Sequence, residues 1–89
     1  MRAVVSVIGV DKTGIIAKVS TKLFERDINI LDITQTIMDD IFTMIMLVDV
    51  RNAATEFSQI VNEMKALGEE IGVEITMTRD EIYKSMHRI

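Results

Sequence analysis

The order in which the hydrophobic spacing changes along the chain is the feature that most restricts its fold. Four segments have the composition or the alternation of β-strands: residues 2–9, 30–38, 41–50 and 73–78. Two segments instead repeat apolar residues every three or four positions, as amphipathic helices do: about 14–26 and about 54–70. The sequence therefore predicts the order βαββαβ.

The connections between these elements determine how they assemble. Asp39-Asp40 predicts a short turn, so the second and third strands form a hairpin. Each helix links two strands, which places both helices on one face of the sheet. Thr78-Arg79-Asp80-Glu81 matches a capping box and predicts a short C-terminal helix. We expect one α+β domain over residues 1–89: a ferredoxin-like four-stranded antiparallel sheet with two helices on one face and a short third helix.

The third predicted strand is apolar on both faces. Ile41, Thr43, Ile45 and Leu47 alternate with a second set: Phe42, Met44, Met46 and Val48. Two helices cover one face only, and the expectation is that Met44 and Met46 lie on the other. Either a partner subunit or the terminal helix would then cover them. We expect the partner, because a chain of 89 residues buries little surface alone.

Composition excludes several classes of function. The chain has no Cys, so it can form neither a disulfide nor a thiolate metal site. Its formal charge of −4 argues against a nucleic-acid partner. No apolar run reaches the ~18 residues of a membrane span, and no signal-peptide pattern is found, so we expect a cytoplasmic protein.

No catalytic constellation is found in the sequence. His87 is the one histidine and is interpreted as a solvated side chain near the C-terminus. It has no second imidazole or thiolate with which to form a metal site. The serines Ser6, Ser20, Ser58 and Ser85 lack a plausible histidine partner, so a hydrolase triad is unsupported. We therefore predict a protein that is not an enzyme and that uses no metal and no cofactor.

The turn between the first strand and the first helix carries the most chemical information. Gly14 has no Cβ and lets a ligand or another backbone come close. The first N–H groups of a helix have no internal partner and favour an anion. Asp11 beside them could accept a hydrogen bond from an ammonium group, so an amino acid would suit the turn. On spacing alone, Asp11 and Thr13 fit the role of helix caps equally well.

The residues of this turn resemble a known signature. Gly9-x-Asp11-Lys12-x-Gly14-Ile15-Ile16 after a first strand, with Asn29-Ile30 at the entry to the second, is similar to the ACT-domain motif. The resemblance extends over the whole chain. It is closest to stand-alone single-ACT proteins of bacteria and archaea, with similarity to the ACT modules of the glycine-cleavage repressor and of formyltetrahydrofolate deformylase.

This resemblance implies a regulatory domain that binds a small molecule, often an amino acid, at a subunit interface. Asp11 and Asn29 match the side chains that hold the ligand in such modules, and the backbone of Thr13, Gly14 and Ile15 would bind its carboxylate. The predicted ligand-binding residues are Asp11, Lys12, Thr13, Gly14, Ile15, Asn29 and Ile30. A homodimer and a regulated protein partner are the implied partners.

Three alternatives have less support from the residues. A pure association module would keep the fold and dimer without a ligand. Acylphosphatases share the architecture but use an arginine in the first loop, where this chain has only Lys12. An RNA-binding βαββαβ domain needs aromatic residues on strands one and three, and here only Phe42 is available.

Overall fold

A computed structural model gives the architecture of the chain and describes residues 1–10 and 14–86. Its elements follow the predicted order: β1 (Arg2–Val10), α1 (Ile15–Glu25), β2 (Asn29–Met38), β3 (Ile41–Asp49), α2 (Phe57–Ile71), β4 (Glu74–Arg79) and α3 (Asp80–Met86). Most boundaries lie within a residue or two of the prediction. The exception is α2, which begins three residues later than expected.

The four strands form one antiparallel sheet in the order β2-β3-β1-β4. The hairpin of β2 and β3 turns at Asp39, which has a positive φ of 57° that aspartate tolerates better than most residues. Each helix connects two strands that are not neighbours in the sheet, so α1 and α2 lie side by side on one face. The ferredoxin-like prediction is confirmed.

The core lies between these two helices and the sheet. Met44 and Met46 are fully buried in it, because they share the helix-covered face with Val5 and Val7 of the neighbouring strand β1. The expectation that Met44 and Met46 lie on the uncovered face is therefore wrong. The alternation along β3 was assigned correctly, but the set that contains the larger side chains faces the helices.

The uncovered sheet face carries the other alternation set, and α3 lies across part of it. α3 contacts β1 and β4, and it buries Val4 from the side opposite to the core. Arg2 fixes its first residue, since Nε and Nη2 donate to Asp80 Oδ2 at 3.0 and 2.7 Å. The terminal helix thus covers this face in part, as the alternative expectation proposed.

The strand β2 contains a β-bulge at its beginning. Ile30 pairs with Val48 but Asp32 pairs with Leu47, so Leu31 is the extra residue. The bulge places Ile30 on the same face as Ile33, whereas simple alternation from one residue to the next would place the two on opposite faces. In the part of the chain that the structure describes, no helix is long and apolar enough to cross a membrane.

Candidate functional site

Four of the seven predicted ligand-binding residues lie within the described part of the chain. Gly14 and Ile15 stand at the start of α1, and Asn29 and Ile30 at the start of β2. Asp11, Lys12 and Thr13 lie outside the described residues, as does His87.

Gly14 is the residue that turns the chain into α1. It occupies the N-cap position with φ 83° and ψ 6°, in the left-handed region that an L-residue adopts at a cost. Its carbonyl accepts the first helical hydrogen bond, from Lys18 N–H at 3.0 Å. Among the described residues beyond its chain neighbours, no atom would lie within 4 Å of a Cβ at Gly14. The helix begins at Ile15 with Gly14 at its N-cap position, and Thr13, the cap expected from the sequence, lies outside the described residues.

Gly9, the other glycine of the motif, has a different role. A Cβ at Gly9 would lie 2.6 Å from Cγ1 and 3.1 Å from Cβ of Val73. Both distances are too short for a carbon contact, so Gly9 is needed because Val73 packs directly over the β1 backbone. One motif glycine therefore serves packing, and the other serves the conformation of the turn.

Ile15 and Ile30 contribute apolar side chains to the domain itself. Ile15 is buried in the core, so only its backbone N–H is available to a ligand at the start of α1. Ile30 is half-buried and packs against the same core. Neither isoleucine side chain offers a polar group for recognition.

Asn29 lies at the opposite end of the sheet from the turn into α1. It is in register with Asp49, which is in register with Arg2, whereas the turn follows Val10 at the other end of β1. Eight residues of β-strand separate the two ends, or about 27 Å. Asn29 and the Gly14 turn of one chain therefore cannot hold the same small ligand, and such a site requires two chains.

The surroundings of Asn29 are partly apolar. Asn29 lines a shallow cavity of about 340 Å³ together with Phe24, Asp27, Ile28 and Asn52. Phe24 projects from α1 with 80% of its surface exposed, which is unusual for a phenylalanine. The prediction from sequence missed this residue. The signal was present, because Phe24 falls outside the Ile15, Val19, Leu23 stripe that faces the core.

A carboxylate lies next to Asn29 across the strand pair. Asp49 accepts a hydrogen bond from Arg51 N–H at 3.0 Å, and its side chain pairs with the Arg51 guanidinium at 2.8 Å. The backbone hydrogen bond is the main reason that the pKa of Asp49 is lowered. Asp49 is thus ionised at neutral pH, and its charge is paired with the Arg51 guanidinium and the N-terminal ammonium group.

Exposed apolar residues continue along the edge of the sheet from Phe24. Strand β2 pairs with β3 on one side only, so its other edge is open. Large side chains are exposed there on the helix side of β2 and on the flank of α1 that is turned away from α2. We call them the edge stripe: Ile16, Phe24, Ile33 and Ile37.

The largest cavity among the described residues lies at the other edge of the sheet. It measures about 770 Å³ and lies between α2 and β4, with Lys65 and Glu69 at its rim. None of the described residues that were predicted to bind a ligand lines it. Within the described residues there is also no cluster of three or more Asp, Glu or His side chains that could hold a metal ion.

Comparison with known proteins gives a consistent result. Residues 2–78 match a family model described as ACT domain. A UPF0237 protein from Methanocaldococcus jannaschii is 53% identical over 88 residues, which cover 99% of this chain and 98% of that protein. An ACT domain protein from Streptococcus pneumoniae has a TM-score of 0.83 at 38% identity and covers 98% of both chains.

Two more distant structures share the fold. One is assigned as a glycine cleavage system transcriptional repressor and has a TM-score of 0.75 at 21% identity, over 86% of this chain and 44% of that chain. The other is a formyltetrahydrofolate deformylase from Pseudomonas putida, with a TM-score of 0.76 at 11% identity, over 88% and 28% of the two chains. At these identities the likeness shows the fold alone.

Proposed function

The chain belongs to the ACT-domain family, and from that premise we propose that it is a non-catalytic regulatory domain that binds an amino acid as a homodimer. The ligand would lie between two chains, at the turn into α1 of one protomer and near Asn29 of its partner. The observation that carries this proposal is the open edge of β2 beside the edge stripe.

The open edge of β2 supports a dimer in which two β2 strands pair. An edge strand presents unpaired N–H and C=O groups, and soluble proteins usually protect it with charges or proline. In β2 the one charged side chain is Asp32, and proline is absent from the whole sequence. The edge stripe adds apolar surface at the same place, and pairing would bury both.

The geometry of such a dimer brings the two halves of the site together. In a two-fold symmetric pair of β2 strands the chains run antiparallel. Pairing centred near Thr34 sets the partner's Asn29 opposite Met38, at the end of the sheet where β1 leads into Gly14. Asn29 and the Gly14 turn lie about 27 Å apart within one chain, but Asn29 of one protomer comes close to the Gly14 turn of its partner.

The groups gathered there suit a zwitterion. The first N–H groups of α1 favour a carboxylate, because they lie at the positive end of the helix dipole. Asp11 follows Val10 directly and would accept hydrogen bonds from an α-ammonium group. The amide of Asn29 both donates and accepts, so it can bind either end of the ligand.

Calorimetry against the twenty amino acids tests this proposal. We expect one or more of them to bind the wild-type protein, with affinity reduced at least tenfold in Asp11→Ala and in Asn29→Ala. Asn62→Ala, at an exposed position on α2, is the matched control and should bind normally. Absence of heat with all twenty amino acids would contradict ligand binding.

Mixing the two defective variants tests the shared site directly. In a heterodimer of Asp11→Ala with Asn29→Ala, one site receives both alanines and the other receives neither. Binding should therefore return to about half of the sites in the mixed dimers. A site built within one chain would stay defective in every dimer, and mixing would restore nothing.

The second candidate function is an association module that keeps the dimer without a ligand. Exposed apolar residues on the uncovered sheet face favour it, because dimerisation through β2 alone would leave these residues exposed. A dimer that binds no amino acid but captures a protein partner would support this alternative over the first.

A further inference from the structure

A second group of exposed apolar side chains lies on the sheet face opposite to α1 and α2. Val10, Ile41 and Met38 form one row across three adjacent strands, and Ile8 lies in the next row. We call these four residues the open-face patch. Each is roughly half exposed or more, and Met38 reaches 71%. They lie beyond the part of the face that α3 covers.

The described charged residues that border the open-face patch are all acidic. Asp39 and Asp40 form the turn above the first row. Glu74 is in register with Ile8 on one side. The described cations of this face are Arg2 and Lys84, and both pair with Asp80 at the opposite end.

A groove connects the open-face patch to α3. It has a volume of about 310 Å³ and runs over the sheet beside Tyr83. Its floor consists of short side chains, Ser6, Thr43 and Thr76, between the larger Ile8 and Ile45. A row of protruding side chains on a second helix, lying parallel to the sheet next to α3, could enter this groove.

We propose that the open-face patch binds an amphipathic helix of a partner protein, one with an apolar stripe bordered by lysine or arginine. The apolar stripe would cover the four residues of the patch, and the basic borders would lie against Asp39, Asp40 and Glu74. The exposed half of the face is about 17 Å long over five residues of strand, which matches about three helical turns.

Charge decides between this occupant and a second copy of the chain. Two copies placed face to face would bring the acidic borders of both patches together, and each chain already carries a net charge of −4. An anionic membrane surface is disfavoured for the same reason. A basic partner gains from the acidic border in association rate and in specificity.

A designed peptide provides the first test. The probe is an 18-residue peptide of leucine and lysine with helical spacing, and its counterpart replaces every lysine with glutamate. We expect micromolar binding of the lysine peptide by calorimetry, weakened about tenfold from 50 to 300 mM salt. Tyr83 is the only tyrosine and the chain has no tryptophan, so a change in tyrosine fluorescence reports binding at the groove.

Two matched pairs of variants locate the binding. Met38→Lys and Asn62→Lys add the same charge at exposed positions on opposite sides of the domain, the uncovered sheet face and the outer surface of α2. Asp39→Asn and Asp27→Asn make the same change at two positions with positive φ, at opposite ends of the domain. Met38→Lys should weaken peptide binding tenfold or more and Asp39→Asn about threefold, whereas Asn62→Lys and Asp27→Asn should leave it unchanged.

Several outcomes would overturn the proposal. Equal binding of the lysine and glutamate peptides would remove the role of charge, and equal effects of Met38→Lys and Asn62→Lys would remove the role of this face. A tetramer of the free protein that Met38→Lys reduces to a dimer would identify a second copy as the occupant. Binding of the peptide with no change in Tyr83 fluorescence would place it elsewhere.

Discussion

The two edge strands of the sheet differ in how completely the domain covers them. On β4, the helix-side residues Ile75 and Met77 are buried beneath α2. On β2, the corresponding helix-side residues Ile33 and Ile37 are 38% and 67% exposed. Both strands have one neighbour in the sheet, and both carry isoleucine toward the helix layer. Only β4 has the helix above it.

The difference shows which edge depends on a second chain. α2 extends over β4, whereas α1 leaves the outer side of β2 uncovered and exposes Ile16 and Phe24 on its own outer flank. Small domains gain burial most readily by association. We therefore infer that packing at β4 stabilises the single chain, whereas packing at β2 stabilises the dimer.

Removal of a buried side chain under α2 should have the largest effect on folding. Ile75→Ala is expected to lower the free energy of unfolding by about 2–4 kcal/mol, because it leaves a cavity between β4 and α2. Ile33→Ala, the matched change on β2, should lower it by less than about 1 kcal/mol in dilute protein. Urea denaturation at two protein concentrations measures both, and the loss in Ile75→Ala should be the same at each.

A charge on the open edge should instead break the dimer. Ile37→Lys places a cation within the edge stripe, and we expect the dimer dissociation constant to rise about 100-fold while the fold is retained. Thr36→Lys is the control, because Thr36 is adjacent to Ile37 in the chain but lies on the other face of β2. Sedimentation equilibrium gives the constants. An unchanged dimer in Ile37→Lys would show that the chains associate elsewhere.

Val73 packs on Gly9 at the edge of the sheet that α2 covers. Disruption of this contact should have a smaller effect on stability. Gly9→Ala should destabilise the domain by about 1–3 kcal/mol, because its Cβ would overlap Val73. Val73→Ala removes the closer of the two contacts, so the double variant should be less destabilised than the sum of the single changes. Thermal unfolding of wild type, the two single variants and the double variant measures this double-mutant cycle. Strict additivity would contradict this role of Gly9.

Gly14→Ala is a useful comparison with that cycle. The cause of destabilisation at Gly14 would be its positive φ rather than a contact, so Val73→Ala should not relieve it. The two glycines of one motif can thus be separated by a single second-site change.

The sequence predicted the element order and missed the orientation of one strand. Helical and strand periods are local properties, so the topology followed from them. β3 is apolar on both faces, and the alternation alone cannot tell which face the helices cover. Met44 and Met46 face the helices, where their long side chains fill the space between the layers. The bulge at Leu31 likewise arises from strand pairing, which no short-range pattern records.

The candidate site was predictable to a lesser extent. The motif located the Gly14 turn and Asn29, but the distance between them within one chain became visible only through the strand register. The exposure of Phe24 and Ile37 also depends on where α1 lies over the sheet. Both features require the assembled sheet, and only Phe24 had a signal in the sequence, because it falls outside the stripe of α1 that faces the core.

Loss of the contact between α1 and α2 should have the smallest effect on stability, and this effect should depend on pH. Arg26 Nε and Nη2 donate to the two carboxylate oxygens of Glu63 at 2.6 and 2.9 Å, which ties α1 to α2 on the side away from β2. These hydrogen bonds are the main reason that the pKa of Glu63 is lowered and that of Arg26 is raised.

Glu63→Gln should therefore lower Tm by about 2 °C at pH 7, because the pair is partly exposed and screened by solvent. A lowered carboxyl pKa stabilises the folded chain above the unfolded value near 4.5 and ceases to do so as pH falls through the folded value. The difference in Tm between wild type and Glu63→Gln should accordingly disappear in acid. Glu69→Gln, exposed on the same helix, is the control and should show no such dependence. Since the Arg26–Glu63 pair lies between the helices, Glu63→Gln should leave the dissociation constant of the dimer unchanged. A weaker dimer would mean that the position of α1 over β2 depends on the contact between α1 and α2.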